Sequence, residues 1–360
     1  MTAFKKYIGY RLKSSFLQTV SFALIALVIT VFTAFESVDL FSFSNRGRTG
    51  IESLATIMGI IASIIPMLET AHFKNRRNLD TLYFLPISRF KMALAHYVSG
   101  LLQVIAIYTV AFIGHTAVLL QYAGHFRLEY LPVYYVLLLL LGVIIYSVFI
   151  FVFGEANSTA DGVICAVMWI FALYLAACAC EIPVKQVALE EYHGYGEDYY
   201  LFVMELEQFR TGFIPYAMID KCTVVFQSIM EGWGDYNGAE VYMPTVAEAV
   251  AMKFKYWYMS FFWLAAGAAS AWGYFRTFMR KGAEKAGDIS GSAFCYKTLI
   301  PIYGASLIFM STEGDGFTFF LTVAAMYLSY AVYRKSFKIT CCDIITLTGV
   351  SVAGLLWINL

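Results

Sequence analysis

The chain has 360 residues, of which 60% are hydrophobic and 14% are charged, and its formal net charge at pH 7 is zero. A soluble domain carries about 25% charged residues, so this composition excludes an ordinary soluble protein. The balanced charge also excludes the strongly basic surface of a nucleic-acid-binding protein, and we expect no nucleic-acid partner.

Continuous apolar runs dominate the sequence and reach about 18 residues or more, which is enough to cross ~30 Å of hydrocarbon as helices. We expect an all-α polytopic membrane protein, because unbroken runs do not fit the alternating strands of a β-barrel. The predicted spans lie at about 16–35, 51–68, 91–120, 131–153, 162–180 and 256–275, with weaker runs at about 299–310, 317–333 and 344–360. The last three runs are marginal, so about eight and about nine spans are equally open.

The first residues are predicted to form a helix in the membrane interface. Phe4, Tyr7, Ile8 and Leu12 fall on one helical face, and the lysines occupy other faces. This pattern is typical of an amphipathic helix that lies flat in the cytoplasmic headgroup region. We assign residues 1–15 to this helix.

Lysine and arginine counts predict the orientation of the chain in the plasma membrane. With the N-terminus inside, the cytoplasmic segments hold 17 such residues and the short outside loops hold 3. Positive residues collect on the cytoplasmic side, so the basic segments 69–91 and 276–298 are predicted inside. Residues 181–255 contain 12 Asp and Glu against 5 Lys and Arg, and we expect them to form an acidic extracytoplasmic domain. It either steers cationic peptides toward an exit path or is only a solvated outer domain.

The segment from 69 to 91 is a basic island between two apolar runs. Asn75 or Asn78 can cap a helix there, and the proline at 86 ends it. Leucines at 79 and 82 and the tyrosine at 83 make one apolar stripe. Such a short amphipathic helix is marginal alone in water, so it needs a membrane or a protein surface. From the residues alone, a plain basic loop that obeys the positive-inside rule stays the favoured alternative.

The same segment resembles the connection between the second and third spans of permeases of the type-2 ATP-binding-cassette exporter family. The resemblance rests on Glu69, on the run Arg-Asn-Leu-Asp at 77–80 and on the run Leu-Pro-Ile-Ser-Arg-Phe-Lys at 85–91. The interfacial N-terminal helix, the six spans and the outside segment between spans five and six also match the layout of that family. The likeness covers about residues 1–280, whereas the length of 181–255 and the final spans depart from it.

The resemblance implies a six-helix exporter permease core with two or three extra C-terminal spans. Residues 75–86 would be a cytoplasmic coupling helix that docks into a separate ATPase subunit, present in two copies, which would use ATP and Mg²⁺. A second permease subunit, identical or different, would complete the path through the lipid. The implied docking residues are Arg76, Arg77, Leu79, Asp80, Leu82, Tyr83, Leu85, Pro86, Ser88 and Arg89. Glu69 would sit at the membrane boundary and pair with a nearby arginine.

Other polar residues admit a functional and a structural reading. The chain has no phosphate-binding loop of the Gly-x-x-x-x-Gly-Lys-[Ser/Thr] type, so we expect neither ATP hydrolysis nor a bound cofactor in this chain. Glu155 and Asp161 form either a second contact with the ATPase or, for Asp161, the N-cap of span five. His96 and His115 lie about five turns apart, so they cannot share a site, and interior hydrogen bonding is favoured over a proton relay.

Two rival functions stay open on the sequence. The alternative to an exporter is a membrane sensor or an immunity or resistance protein, whose outer domain binds a ligand without transport. A secondary transporter would need paired ionisable residues or broken helices near the middle of the membrane, and spans one to six offer few of them.

Overall fold

The computed structural model describes residues 3–40, 51–74, 87–121, 131–191, 197–212, 214–216, 257–280, 290–310, 316–338 and 340–358. Across these ranges the regular structure is helical and contains no strand. The helices are α1 (Ala3–Ser14), α2 (Phe16–Leu40), α3 (Ile51–Ala71), α4 (Arg89–Gln121), α5 (Leu131–Glu155), α6 (Thr159–Glu191), α7 (Glu197–Thr211), α8 (Trp257–Arg280), α9 (Thr298–Met310), α10 (Gly316–Arg334) and α11 (Cys341–Ile358). A 3₁₀ turn at His72–Lys74 follows α3, and a π turn at Ala293–Lys297 precedes α9.

Seven helical segments in the described ranges are long and apolar enough to cross a membrane, which is consistent with a polytopic membrane protein. They are Phe16–Phe35, Ser53–Lys74, Arg89–Gln121, Leu131–Glu155, Thr159–Ile182, Ala293–Met310 and Gly316–Arg334. The expectation of an all-α protein of this class is confirmed. The sixth predicted span is the helix α8, whose tryptophans and tyrosines keep it outside this set, and α11 contains only a shorter apolar stretch, Cys341–Leu356.

One compact unit comprises residues 1–154 and 215–283. Its central element is α4, which packs against α1, α2, α3 and α8. Glycine permits close approach between α5 and α8: a Cβ added at Gly267 would lie 3.3 Å from the backbone Cα of Ile144. A larger side chain at this position would require the two helices to move slightly apart.

A second compact unit comprises residues 155–214 and 284–360. Within it α6 packs against α7 and α9, and α9 also packs against α10 and α11. The π turn before α9 contains a non-helical residue, Cys295, at φ −102° and ψ −139°. At the end of α10, Arg334 donates to the Asp343 carboxylate of α11 at 2.7 Å, which fastens these two helices at their shared turn.

Part of the apolar face of α1 packs against protein, and the predicted position of this helix in the headgroup region stays a prediction. Tyr7 is buried in a cluster with Met92 and Ala95 of α4, and Phe4 and Ile8 are packed against that cluster. An amphipathic pattern reports only that one face leaves water, so it does not distinguish a membrane from a neighbouring helix. Here the neighbouring helix is the start of α4, which covers Tyr7 with Met92 and Ala95.

Candidate functional site

The predicted docking segment is described only at its edges. Ser88 and Arg89 open α4, and the Met92 N–H donates to the Ser88 carbonyl at 3.0 Å. The remaining predicted docking residues lie outside the described ranges: Arg76, Arg77, Leu79, Asp80, Leu82, Tyr83, Leu85 and Pro86. Their docking role stays a prediction.

Glu69, near the end of α3, is buried inside a polar cluster, with 3% of its surface exposed. Arg11 of α1 donates from Nη2 to Glu69 Oε2 at 2.5 Å, and Gln103 of α4 donates from Nε2 to Oε1 at 2.5 Å. Both carboxylate oxygens are therefore bonded by donors from other helices. An unpaired carboxylate at this depth would be costly, so the pairing explains how Glu69 is accommodated.

His96 extends the cluster from Glu69 to α1. Its Nδ1 lies 3.4 Å from Glu69 Oε2, and its Nε2 lies 2.9 Å from the Tyr7 hydroxyl. Burial raises the pKa of the Tyr7 phenol, an effect that Arg11 opposes and Glu69 reinforces. Glu69 Oε2 can only accept, so the proton of a neutral His96 ring belongs on Nδ1, and Nε2 then accepts from the Tyr7 hydroxyl.

Close packing holds this cluster in place. Ser99 donates to Glu69 Oε2 at 3.4 Å, and Tyr146 of α5 donates to the Tyr97 carbonyl at 3.1 Å. A Cβ at Gly100 would lie 3.0 Å from Glu69 Cγ and would collide with the Tyr146 hydroxyl. Glycine at position 100 therefore lets α4 pack closely against both Tyr146 of α5 and the Glu69 side chain.

Sequence reasoning predicted an arginine beside Glu69, and the described residues supply one from a segment that it did not consider. The expected arginines of the basic island lie outside the described residues, and within them Glu69 pairs with Arg11, 58 residues away. Arg11 follows Tyr7 by four residues, so both lie on the same face of α1. That spacing is the signal that could have indicated a charged group on the buried side of the helix.

The 3₁₀ turn that ends just before residue 75 touches three different helices. His72 lies against His96 of α4, with ring centroids 4.9 Å apart. Phe73 meets Phe278 of α8 edge to face at 5.0 Å. Lys74 donates from Nζ to the carbonyl of Phe153 in α5 at 2.5 Å. Phe73 also lies edge to face against His96 of α4, with ring centroids 4.5 Å apart. The turn as a whole therefore contacts α4, α5 and α8.

Both edges of the segment 75–86 rest on the same apolar cluster. Phe73 lies on its N-terminal side and Ile87 on its C-terminal side, and both pack against the group formed by Tyr7, Met92 and Ala95. The polar cluster around Glu69 adjoins this group through Tyr7. Residues on either side of the segment are therefore joined to α1, α3 and α4.

Glu155 and Asp161 lie on either side of the short connection between α5 and α6. The Ser292 hydroxyl donates to Glu155 Oε2 at 2.6 Å, and the Ser290 hydroxyl donates to the Glu155 carbonyl at 3.0 Å. The predicted N-cap is corrected: the Asp161 N–H donates to Ser158 Oγ at 3.1 Å, so Ser158 caps α6 and Asp161 lies in its first turn. A hydroxyl three residues ahead of an acidic residue gives this arrangement. Contact with an ATPase stays a prediction for both acids.

His96 is an interior, hydrogen-bonded histidine, as the sequence favoured, and His115 is buried farther along α4. Among the described residues no group of three or more His, Cys, Asp or Glu side chains could hold a metal ion. No protein-family model matches the chain, and neither a search of curated proteins nor a search of solved structures finds a match.

Proposed function

We propose that this chain is the membrane-spanning permease subunit of an ATP-driven exporter of the type-2 ATP-binding-cassette class. Residues 75–86 would form the coupling helix that docks into a separate ATPase subunit. Two such ATPase subunits would bind ATP and Mg²⁺, and a second permease subunit would complete the translocation path. The seven apolar helices support the membrane part of this proposal.

The observation that carries the proposal is the common anchor of the two edges of 75–86. Phe73 and Ile87 pack on one cluster, and Glu69 fastens α3 to α1 through Arg11 and to α4 through Gln103. A loop that only obeys the positive-inside rule needs no such anchor. A coupling helix at 75–86 needs such an anchor, because a loosely held segment would move without moving the helices around it.

Movement of the segment would reach α1, α3 and α4 together. Closure of the ATPase dimer on ATP would push on residues 75–86, and the anchor would turn that push into rotation of three helices rather than bending of one. Packed interiors resist gradual deformation, so small displacements pass through them as rigid-body shifts. Leu79, Leu82 and Tyr83 would supply apolar docking contacts. Charged neighbours in the segment would orient the docking through salt-sensitive pairing.

The orientation and the second contact belong to the same proposal. The N-terminus and 75–86 would face the cytoplasm of a plasma membrane, and the acidic residues 181–255 would face outside, as the basic residues in short loops indicate. The connection at Glu155 would then lie on the cytoplasmic side. Because the Glu155 carboxylate already accepts a hydrogen bond from Ser292, we assign a second ATPase contact more readily to Asp161.

Charge reversal of the apolar stripe tests the docking. An affinity-tagged full-length chain is purified gently with its companions, and ATP hydrolysis and mass spectrometry identify any ATPase that carries a phosphate loop. We expect the double change Leu79→Asp and Leu82→Asp to leave membrane insertion intact and to abolish co-purification of the ATPase. Thr81→Asp is the matched control, since in a helix it lies on the opposite face.

Two results would contradict the proposal. One is an intact complex without any nucleotide-hydrolysing companion, which would favour a membrane sensor or immunity protein. The other is an ATPase that co-purifies equally well with the wild-type chain and with the double variant, which would remove residues 75–86 from the docking surface.

A further inference from the structure

Lys74 is the last residue before the segment 75–86, and it contacts α5 in two ways. Its Nζ donates to the Phe153 carbonyl at 2.5 Å and lies 4.3 Å from the centre of the Phe153 ring. Phe153 itself is fully buried. The ammonium group is thus held by a hydrogen bond and by a cation–π contact on one residue.

The place of Phe153 in α5 makes this contact favourable. The helix ends at Glu155, so the carbonyl of Phe153 is among the last four of α5, which lack a partner within the helix. A positive charge at a helix C-terminus also interacts favourably with the helix dipole. Lys74 therefore caps the C-terminus of α5. It is also the residue next to the proposed coupling helix at 75–86.

The contact of Lys74 differs from those of its two neighbours in the turn. His72 and Phe73 contact α4 and α8 through aromatic ring packing. Lys74 contacts α5 through a directional hydrogen bond. Phe73 also packs in the cluster that holds α1 to α4. Loss of the Lys74 side chain would leave those apolar contacts in place and would remove its hydrogen bond to the last turn of α5.

We propose that Lys74 is a positioning residue that passes movement of the segment 75–86 to the C-terminal end of α5. This inference rests on the proposed function and adds a fourth helix to the three that the anchor joins. A displaced Lys74 either pulls the last turn of α5 along or breaks its cap. In both cases the conformation of the last turn of α5 changes when the segment 75–86 moves.

The test uses hydrogen–deuterium exchange of the full-length chain in complex with its co-purified ATPase, with and without ATP and Mg²⁺. The variants are Lys74→Met, which keeps the length and removes the charge, and Lys74→Arg, which keeps a donor. Lys5→Met is the matched control, because Lys5 is exposed on α1. Exchange is read at residues 149–155 of α5 and at residues 89–96 of α4.

We expect nucleotide to change exchange at both places in the wild type and in Lys74→Arg. In Lys74→Met the response at 149–155 should disappear, while the response at 89–96 should persist. Without nucleotide, amides at 149–155 should exchange about tenfold faster in Lys74→Met, the factor expected from losing one charge-assisted hydrogen bond. A residue that only stabilised the fold would weaken both responses together.

Separate outcomes distinguish the two proposals. If an ATPase binds and the nucleotide response at 149–155 is the same in Lys74→Met as in the wild type, the role of Lys74 is wrong and the proposed function stands. If Lys74→Met loses both responses while the ATPase still binds, Lys74 has a general structural role, and the inference is overturned as well. If no ATPase binds the wild-type chain, the proposed function fails and the role of Lys74 fails with it.

Discussion

Arg11 and Glu69 form a buried ion pair between α1 and α3, with Nη2 and Oε2 2.5 Å apart and with only 17% and 2% of their side-chain surfaces exposed. Removing one member of such a pair leaves the other charge in a low-dielectric environment. That loss typically costs more than the pair itself contributes, because the desolvation of the remaining charge is no longer compensated.

We therefore expect Arg11→Met to lower the free energy of unfolding by about 3 kcal/mol, the lower end of the range for breaking a buried pair. Glu69→Gln should have a similar effect. The double variant should lose less than the sum of the two, since no unpaired charge is left. Thermal unfolding of the purified full chain in detergent measures these changes, and Lys13→Met on the exposed face of α1 is the control. Strict additivity would contradict the pairing.

Gly100→Ala should disturb the polar cluster without changing any charge. The added Cβ would collide with the Tyr146 hydroxyl and approach Glu69 Cγ to 3.0 Å. Overpacking of this kind costs about 1–3 kcal/mol. Gly59→Ala in α3 is a matched control, because the nearest atom to its Cβ is Ile145 Cδ1 at 3.9 Å. It should be neutral or stabilising, and equal losses of thermal stability in the two variants would refute the packing assignment.

Ser292→Ala should destabilise the unit that contains α6 and α9. The Ser292 hydroxyl donates to Glu155 Oε2 at 2.6 Å and accepts from the Phe294 N–H at 3.2 Å. Loss of a hydrogen bond to a charged group together with an N-cap should cost about 2 kcal/mol. Ser329→Ala removes only a bond to a carbonyl of its own helix and should change unfolding by less than about 0.5 kcal/mol. A silent Ser292→Ala would show that Glu155 does not depend on this hydroxyl.

Lys335→Val tests the backbone of the turn after α10. Lys335 has φ of 53°, the left-handed region, in which a β-branched side chain is strained. We expect a loss of about 1–2 kcal/mol of stability. Lys335→Gly should be tolerated, because glycine adopts this conformation freely. Chemical denaturation of the two variants decides the matter, and a Lys335→Val chain as stable as Lys335→Gly would mean that this conformation is not retained.

The sequence predicted the helices well because long apolar runs have few alternatives. A helix satisfies its own backbone hydrogen bonds in hydrocarbon, so a run such as 131–153 leaves little choice and appears as α5. Interfacial aromatic residues weaken this signal. The helix α8 has 24 residues, yet its tryptophans and tyrosines lower its mean hydropathy below that of the seven apolar segments.

The polar cluster was harder to predict because its members come from distant parts of the chain. Glu69 and His96 attract attention as ionisable residues near or within apolar runs. Their partners Tyr7 and Arg11 belong to a helix whose composition is typical of a membrane surface. Only the packing of α1 on α4 reveals that this face meets protein. Pairings across 58 residues depend on helix packing, which periodicity does not encode.

The length of α6 has a consequence for the stability of the chain toward cleavage. The apolar part of this helix ends at Ile182, whereas the helix continues to Glu191, so its last nine residues extend about 14 Å farther. Arg210, at the far end of α7, pairs with Glu181 at 3.1 Å and lies over the ring of Tyr174. Because α6 and α7 also pack against each other, we expect the two helices to stay associated if the chain is cut between them.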